Sequence, residues 1–190
     1  MLALFKIIAF VYSIFFSLHS FSFEIRSLAK IDNYTISNYD LFLEIKTQEI
    51  LKNTKINNME KKLLLQNLIN EKIKELETNK LNLIVSDTDV NNRFNEIIKN
   101  LNNKSLITEE IEVNLKKKIR NSLKWNRLIL IKFRNKIDIN VKEIEQISKN
   151  ERLNLLEKDR IINQERNKKL NVFSKTFYNE IKRNYLIKIY

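Results

Sequence analysis

A chain of 190 residues with no glycine and no proline has few residues from which to build a turn. Glycine usually supplies the left-handed backbone conformation that tight hairpins and helix ends demand. Asparagine and aspartate are the residues that tolerate it next best, so the turns are to be sought there. The same scarcity limits chemistry. Without cysteine there is no disulfide, no thiolate nucleophile and no cysteine-bearing metal site. Without glycine no phosphate-cradling loop of the nucleotide-binding kind can form. The one histidine, His19, lies in a segment expected to be removed. The chain is therefore read as a non-enzyme with no metal and no cofactor.

Asparagine, lysine and isoleucine are abundant, a bias expected of a coding sequence pushed toward A and T. This tempers the formal charge of +12, which would otherwise point to nucleic acid or an anionic membrane. Most of it is assigned to solvated faces, and nucleic acid is not an expected partner. The length suits one domain, and 43% hydrophobic residues suffice for a modest core.

The first residues, Met1 to Lys6, precede an apolar run from Ile7 to Leu18, then His19, Ser20, Phe21 and Ser22. A positive start, an apolar stretch short for a bilayer and small residues at Ser20 and Ser22 have the three-part grammar of a secretory signal. Residues 1–22 are read as a signal peptide and 23–190 as the mature domain outside the cytoplasm. An uncleaved membrane anchor is the alternative.

In the mature part, Leu28 to Ile31 and Tyr34 to Ile36 flank Asp32 and Asn33, which predicts a hairpin. Four helices follow. The first starts at a Ser37 cap and runs to about Asn53, and the second runs from about Asn57 to Lys80 with Leu65, Leu68, Ile69, Ile73 and Leu76 on one face. Asn82 is placed in a left-handed helix end. A third helix follows the Ser86 cap, with Val90 and Phe94 on its apolar side, and a fourth runs from Thr108 to about Lys136. The stretch from Ile137 to Val141 alternates, and a last helix reaches about Arg183. The residues from Tyr185 to Tyr190 are strand formers expected to pair with the hairpin.

This order, with Leu65 to Ile73, Val85 to Val90, Ile119 to Leu123 and then Phe177 to Ile189, resembles the SurA-like periplasmic chaperones. The likeness is to the N-terminal part (23–141) and to the C-terminal helix and strand (142–190), without the parvulin-type isomerase domains that the family carries between them. Asn33 and Asn82 stand where the family has turn glycines. The resemblance implies a mainly α, SurA-like helical core with a small hairpin and terminal strand pairing. It also implies an ATP-independent holdase that binds unfolded outer-membrane polypeptides in the periplasm, with no prolyl isomerase activity. A membrane-anchored periplasmic scaffold is the alternative.

Client contact is expected at Trp125, Leu128, Phe133, Phe94 and Tyr178, with core packing as the competing role of these side chains. Lys116, Lys117, Lys118 and Arg120 are read as a solvated face, with weak contact to anionic membrane as the alternative. Asp87 and Asp89 are read as helix-start residues and not as an acid-base pair.

Overall fold

A computed structural model describes residues 24–137 and 155–190. The expected signal segment lies outside the described residues, as do most of the alternating stretch after Ile137 and the start of the last helix.

The chain opens with a hairpin of β1 (Ser27–Ile31) and β2 (Tyr34–Ser37), and α1 (Asn38–Lys52) follows directly. Next come α2 (Asn58–Lys80), α3 (Asp87–Lys99) and α4 (Glu109–Phe133), then α5 (Leu155–Lys182) and β3 (Ile187–Ile189). The three strands form one antiparallel sheet in the order β2-β1-β3, so the hairpin and the C-terminal strand do pair. The fold is mainly α with a small sheet, as the sequence leads one to expect.

Side-chain caps start the helices where the sequence places them. The Ser37 hydroxyl accepts from the Asp40 N–H at 3.2 Å, and Asp40 accepts in return from the Ser37 N–H at 2.7 Å. Asn57 and Glu60 repeat this reciprocal pattern at α2. Ser86 and Thr108 cap α3 and α4. Each cap satisfies backbone N–H groups that the helix itself leaves unpaired, typically for about 1 kcal/mol.

The positive backbone angles fall on Asp32 (φ 50°), Asn53 (φ 53°) and Asn82 (φ 48°), so aspartate and asparagine take the role of glycine here. Of the two turn residues, Asp32 takes the left-handed conformation and Asn33 does not. The reason is visible in its partners. The Asp32 N–H donates to the Leu186 carbonyl at 3.0 Å, while its carboxylate accepts from the Leu186 N–H at 2.9 Å. The turn is thereby fastened to the chain entering β3.

The main core lies between the inner face of the sheet and α2, α4 and α5. Ala29, Ile31 and Ile36 meet Ile69 and Ile73 from α2, Trp125 and Leu128 from α4, and Phe177 and Ile181 from α5. A smaller cluster joins Val90 and Phe94 of α3 to Leu115 and Ile119 of α4. The α4 helix serves both clusters. Its N-terminal half packs on α3, and its C-terminal half closes the main core.

Because Ile31 is fully buried at the centre of the sheet, Ile31→Ala is expected to lose about 2–5 kcal/mol in chemical denaturation. Ile84→Ala, at an exposed position, should stay within about 0.5 kcal/mol of the parent.

Candidate functional site

On a chain this charged, an exposed apolar surface next to a groove is the feature to explain. One such groove, of about 430 Å³, lies between the C-terminal end of α4 and the N-terminal half of α5. It is lined by Leu130, Ile131, Arg134, Ile137 and Arg166. Leu130 is 46% and Ile131 60% exposed, although both follow directly on the buried pair Leu128 and Ile129. The cause is helical geometry, which turns successive side chains by roughly 100° and so carries Leu130 and Ile131 out of the core. The rim is basic: no ion pair with a described carboxylate forms at Arg134 or Arg166. On the same two helices, the rings of Phe133 and Phe173 stack at 4.9 Å with 7° between their planes. A packed aromatic contact thus joins α4 to α5. A second groove of about 430 Å³, at the other end of α4, is bounded by Ile50, Leu106 and Ile111 with Lys46, Lys55 and Glu49 around them.

The five side chains picked out by the sequence divide into two groups. Trp125, Leu128 and Phe94 are buried, the first two in the main core and Phe94 in the smaller cluster. Trp125 stacks on Phe177 at 5.7 Å and donates its indole N–H to the Ser174 hydroxyl at 2.8 Å, which ties α4 to α5. In this arrangement these three pack in the clusters and line neither groove described above. Phe133 and Tyr178 are half-buried. The Tyr178 hydroxyl donates to Asn70 at 2.5 Å, and burial pushes its pKa up to about 12, so the phenol stays protonated. Phe133 alone of the five borders the apolar groove in sequence. None of the groove residues Leu130, Ile131 and Arg166 was among the expected client-contact residues, since only the tertiary docking of α5 makes them neighbours.

A polar site also emerges that the sequence did not disclose. Helix α1 buries Glu44 and Thr47, and not an apolar stripe. Glu44 is 1% exposed, and its Oε1 accepts from Lys118 Nζ of α4 at 2.5 Å and from Gln48 at 3.0 Å. The Lys118 ammonium also lies 3.2 Å from Glu71 of α2, so one cation joins three helices. The second oxygen of Glu44, Oε2, has no hydrogen-bond partner among the described residues. A cleft of about 180 Å³ alongside is lined by Asp40, Glu71, Glu75, Lys72, Lys117 and Lys118, among others. Glu71 has a raised pKa, mainly because burial disfavours its charged form; Lys118 opposes that shift and Glu44 adds to it. Structural ion-pair networks perturb pKa values just as catalytic sites do, and here Glu44 and Glu71 are both paired with Lys118.

Two other members of the basic run are also paired. Lys116 pairs with Glu112 at 2.7 Å, and Arg120 pairs with Asp87 at 2.6 Å. Asp87 thus gains a partner across to α4, while Ser86 and Asp89 form the cap of α3. No group of three or more potential metal ligands occurs among the described residues, and no described helix is long and apolar enough to cross a membrane.

No protein-family model matches the chain, and no curated protein matches its sequence.

Removing Lys118 leaves two carboxylates facing each other, so Lys118→Met should destabilise the fold by about 3 kcal/mol. The sign of the pH effect is fixed by Glu71. Its folded pKa lies above the unfolded value, so stability rises as the pH falls from the raised value into the ordinary carboxylate range. Denaturation curves across that window should show Glu71→Gln with less gain on acidification than the parent.

Proposed function

We propose that this chain is a periplasmic, ATP-independent chaperone that holds unfolded outer-membrane polypeptides and has no prolyl isomerase activity. The observation that carries the reading is the apolar groove of Leu130, Ile131 and Ile137 with its arginine rim. A holdase needs apolar surface that an extended chain can reach, with enough charge around it to keep the protein in solution. Arg134 and Arg166 favour clients that carry carboxylates next to apolar or aromatic residues, since a guanidinium both pairs with carboxylates and stacks on rings. The likeness of the helix order to SurA-like chaperones supports the same reading. Trp125, Leu128 and Phe94 then serve as the framework on which α5 and α3 are held, and Phe133 and Tyr178 pack half-buried against that framework.

The apolar run from Ile7 to Leu18 favours a second reading, a membrane-anchored periplasmic scaffold. Recovery of the protein with Met1 to Ser22 intact in a membrane fraction would establish that reading.

The test is suppression of aggregation of an unfolded outer-membrane polypeptide, followed by light scattering. Leu130→Asp and Ile131→Asp change exposed positions, so helix content should be unchanged while suppression falls markedly. Client affinity should lie near the micromolar range, about 8 kcal/mol, because release must occur without ATP. Undiminished suppression by both variants would refute the groove, and turnover of a proline-containing peptide by the pure protein would refute the non-enzymatic assignment.

A further inference from the structure

We propose that the edge of β3 left unpaired among the described residues accepts an added strand from an extended polypeptide in which an acidic residue lies between two apolar ones. The pairing of β3 with β1 leaves half of its backbone unused. Lys188 lies opposite Lys30, Asp32 bonds Leu186, and the Tyr190 N–H donates to the Leu28 carbonyl at 3.0 Å. Since ladder bonds alternate along an antiparallel strand, the N–H and C=O groups of Ile187 and Ile189 point the other way, along the open edge. The far edge of the sheet offers less: the Ser37 N–H is taken by Asp40, and the chain passes at once into α1.

The side chains say what kind of strand fits. On the inner face, Ile187 packs against the core, and Ile189 stays 56% exposed. An apolar residue opposite each would extend that layer. On the outer face, Thr35, Lys30 and Lys188 form one row across the sheet, so two lysines stand side by side. Neither is ion-paired with a described residue, and like charges directly across a ladder repel. The next place in the row, on an added strand, suits a carboxylate. The same charge argues against a second copy of this chain: pairing Ile187 with Ile189 across a two-fold axis would set Lys188 against Lys188. A lysine on an edge strand commonly guards against aggregation. Here it also selects, admitting an acidic strand and refusing a basic one. The inference is independent of the groove on α4 and α5, and of the chaperone reading.

The test uses the full chain and short, end-blocked, fluorescent peptides with Val-Glu-Val or Val-Lys-Val at the centre, followed by anisotropy. The glutamate peptide should bind about tenfold more tightly than the lysine peptide, and Lys188→Glu should reverse that order. The exposed position of Lys188 lets this variant fold, and it places a glutamate beside Lys30. N-methylation of the two valine amides, which face Ile187 and Ile189, should abolish binding, whereas methylation of the glutamate amide should leave it intact. Equal affinity for both peptides, a preference unchanged in Lys188→Glu, or indifference to the methylation pattern would overturn the proposal. So would self-association through β3, seen as a concentration-dependent mass that Lys188→Glu alters. Aggregation suppression by the Leu130→Asp and Ile131→Asp variants is read separately, so either proposal can fail while the other stands.

Discussion

The double hydrogen bond between Asp32 and Leu186 closes a loop of 154 residues, and the rest of the structure depends on that closure. Loop-closure entropy for a span of that length is about 4.5 kcal/mol beyond a constant, more than two exposed hydrogen bonds return. The offset comes from what the closure brings together. The β1 strand gains partners on both sides, and Ala29 and Ile31 are sealed beneath α2, α4 and α5. An isolated hairpin of this size would be marginal in water, and β3 supplies its third strand. Sheet and last helix therefore stand or fall together, because Phe177 and Ile181 of α5 sit in the cluster that β1 completes.

Two kinds of interface meet on α4. Beside the Arg120–Asp87 ion pair and the Trp125–Ser174 hydrogen bond, its contacts with α3 and α5 are mainly apolar and aromatic, which makes them tolerant of small shifts. Its contact with α1 is the opposite: Glu44, Thr47, Asn114 and Lys118 form a directional polar network. Buried ion pairs contribute little net stability against an apolar alternative, since desolvation consumes most of the Coulomb attraction. They do penalise any other register, because a shifted α1 would strand Glu44 without its cation. In a chain whose helices carry so many interchangeable isoleucines and leucines, the Glu44 and Lys118 pair singles out one docking of α1.

Most of the fold was legible because its signals are local. Caps at Ser37, Asn57, Ser86 and Thr108, left-handed turns at aspartate and asparagine, and the stripe through Ile69 and Ile73 each arise from residues a few positions apart. The pairing of the terminal strand was legible for a different reason: a short run of strand formers and an incomplete hairpin have little else to do. What escaped was whatever depends on two distant segments at once. Glu44 looks like any surface glutamate, Lys118 like one member of a lysine run, and only the packing of α1 on α4 makes them partners across 74 residues. The groove was missed likewise. Aromatic side chains drew attention to Trp125 and Phe94, yet large aromatics are also the best core fillers, and in this chain the core takes them.

That division has a consequence for how the groove can work. Leu130 and Ile131 project from the same helical turns whose inner sides hold Leu128, Ile129 and the Phe133–Phe173 stack. The apolar surface is thus mounted on a rigid support, and a client segment need not order it first. Little conformational entropy is lost on the protein's side of the contact. The area is small, however, and open to solvent, so its apolar attraction to any one segment is limited. A preformed but shallow surface gives contacts that form readily and release without an energy source. Strengthening them by enlarging the apolar patch would meet a limit, because a larger exposed patch invites the protein to associate with itself. The basic rim adds attraction without adding apolar area, and Arg134 and Arg166 stand where that addition is needed.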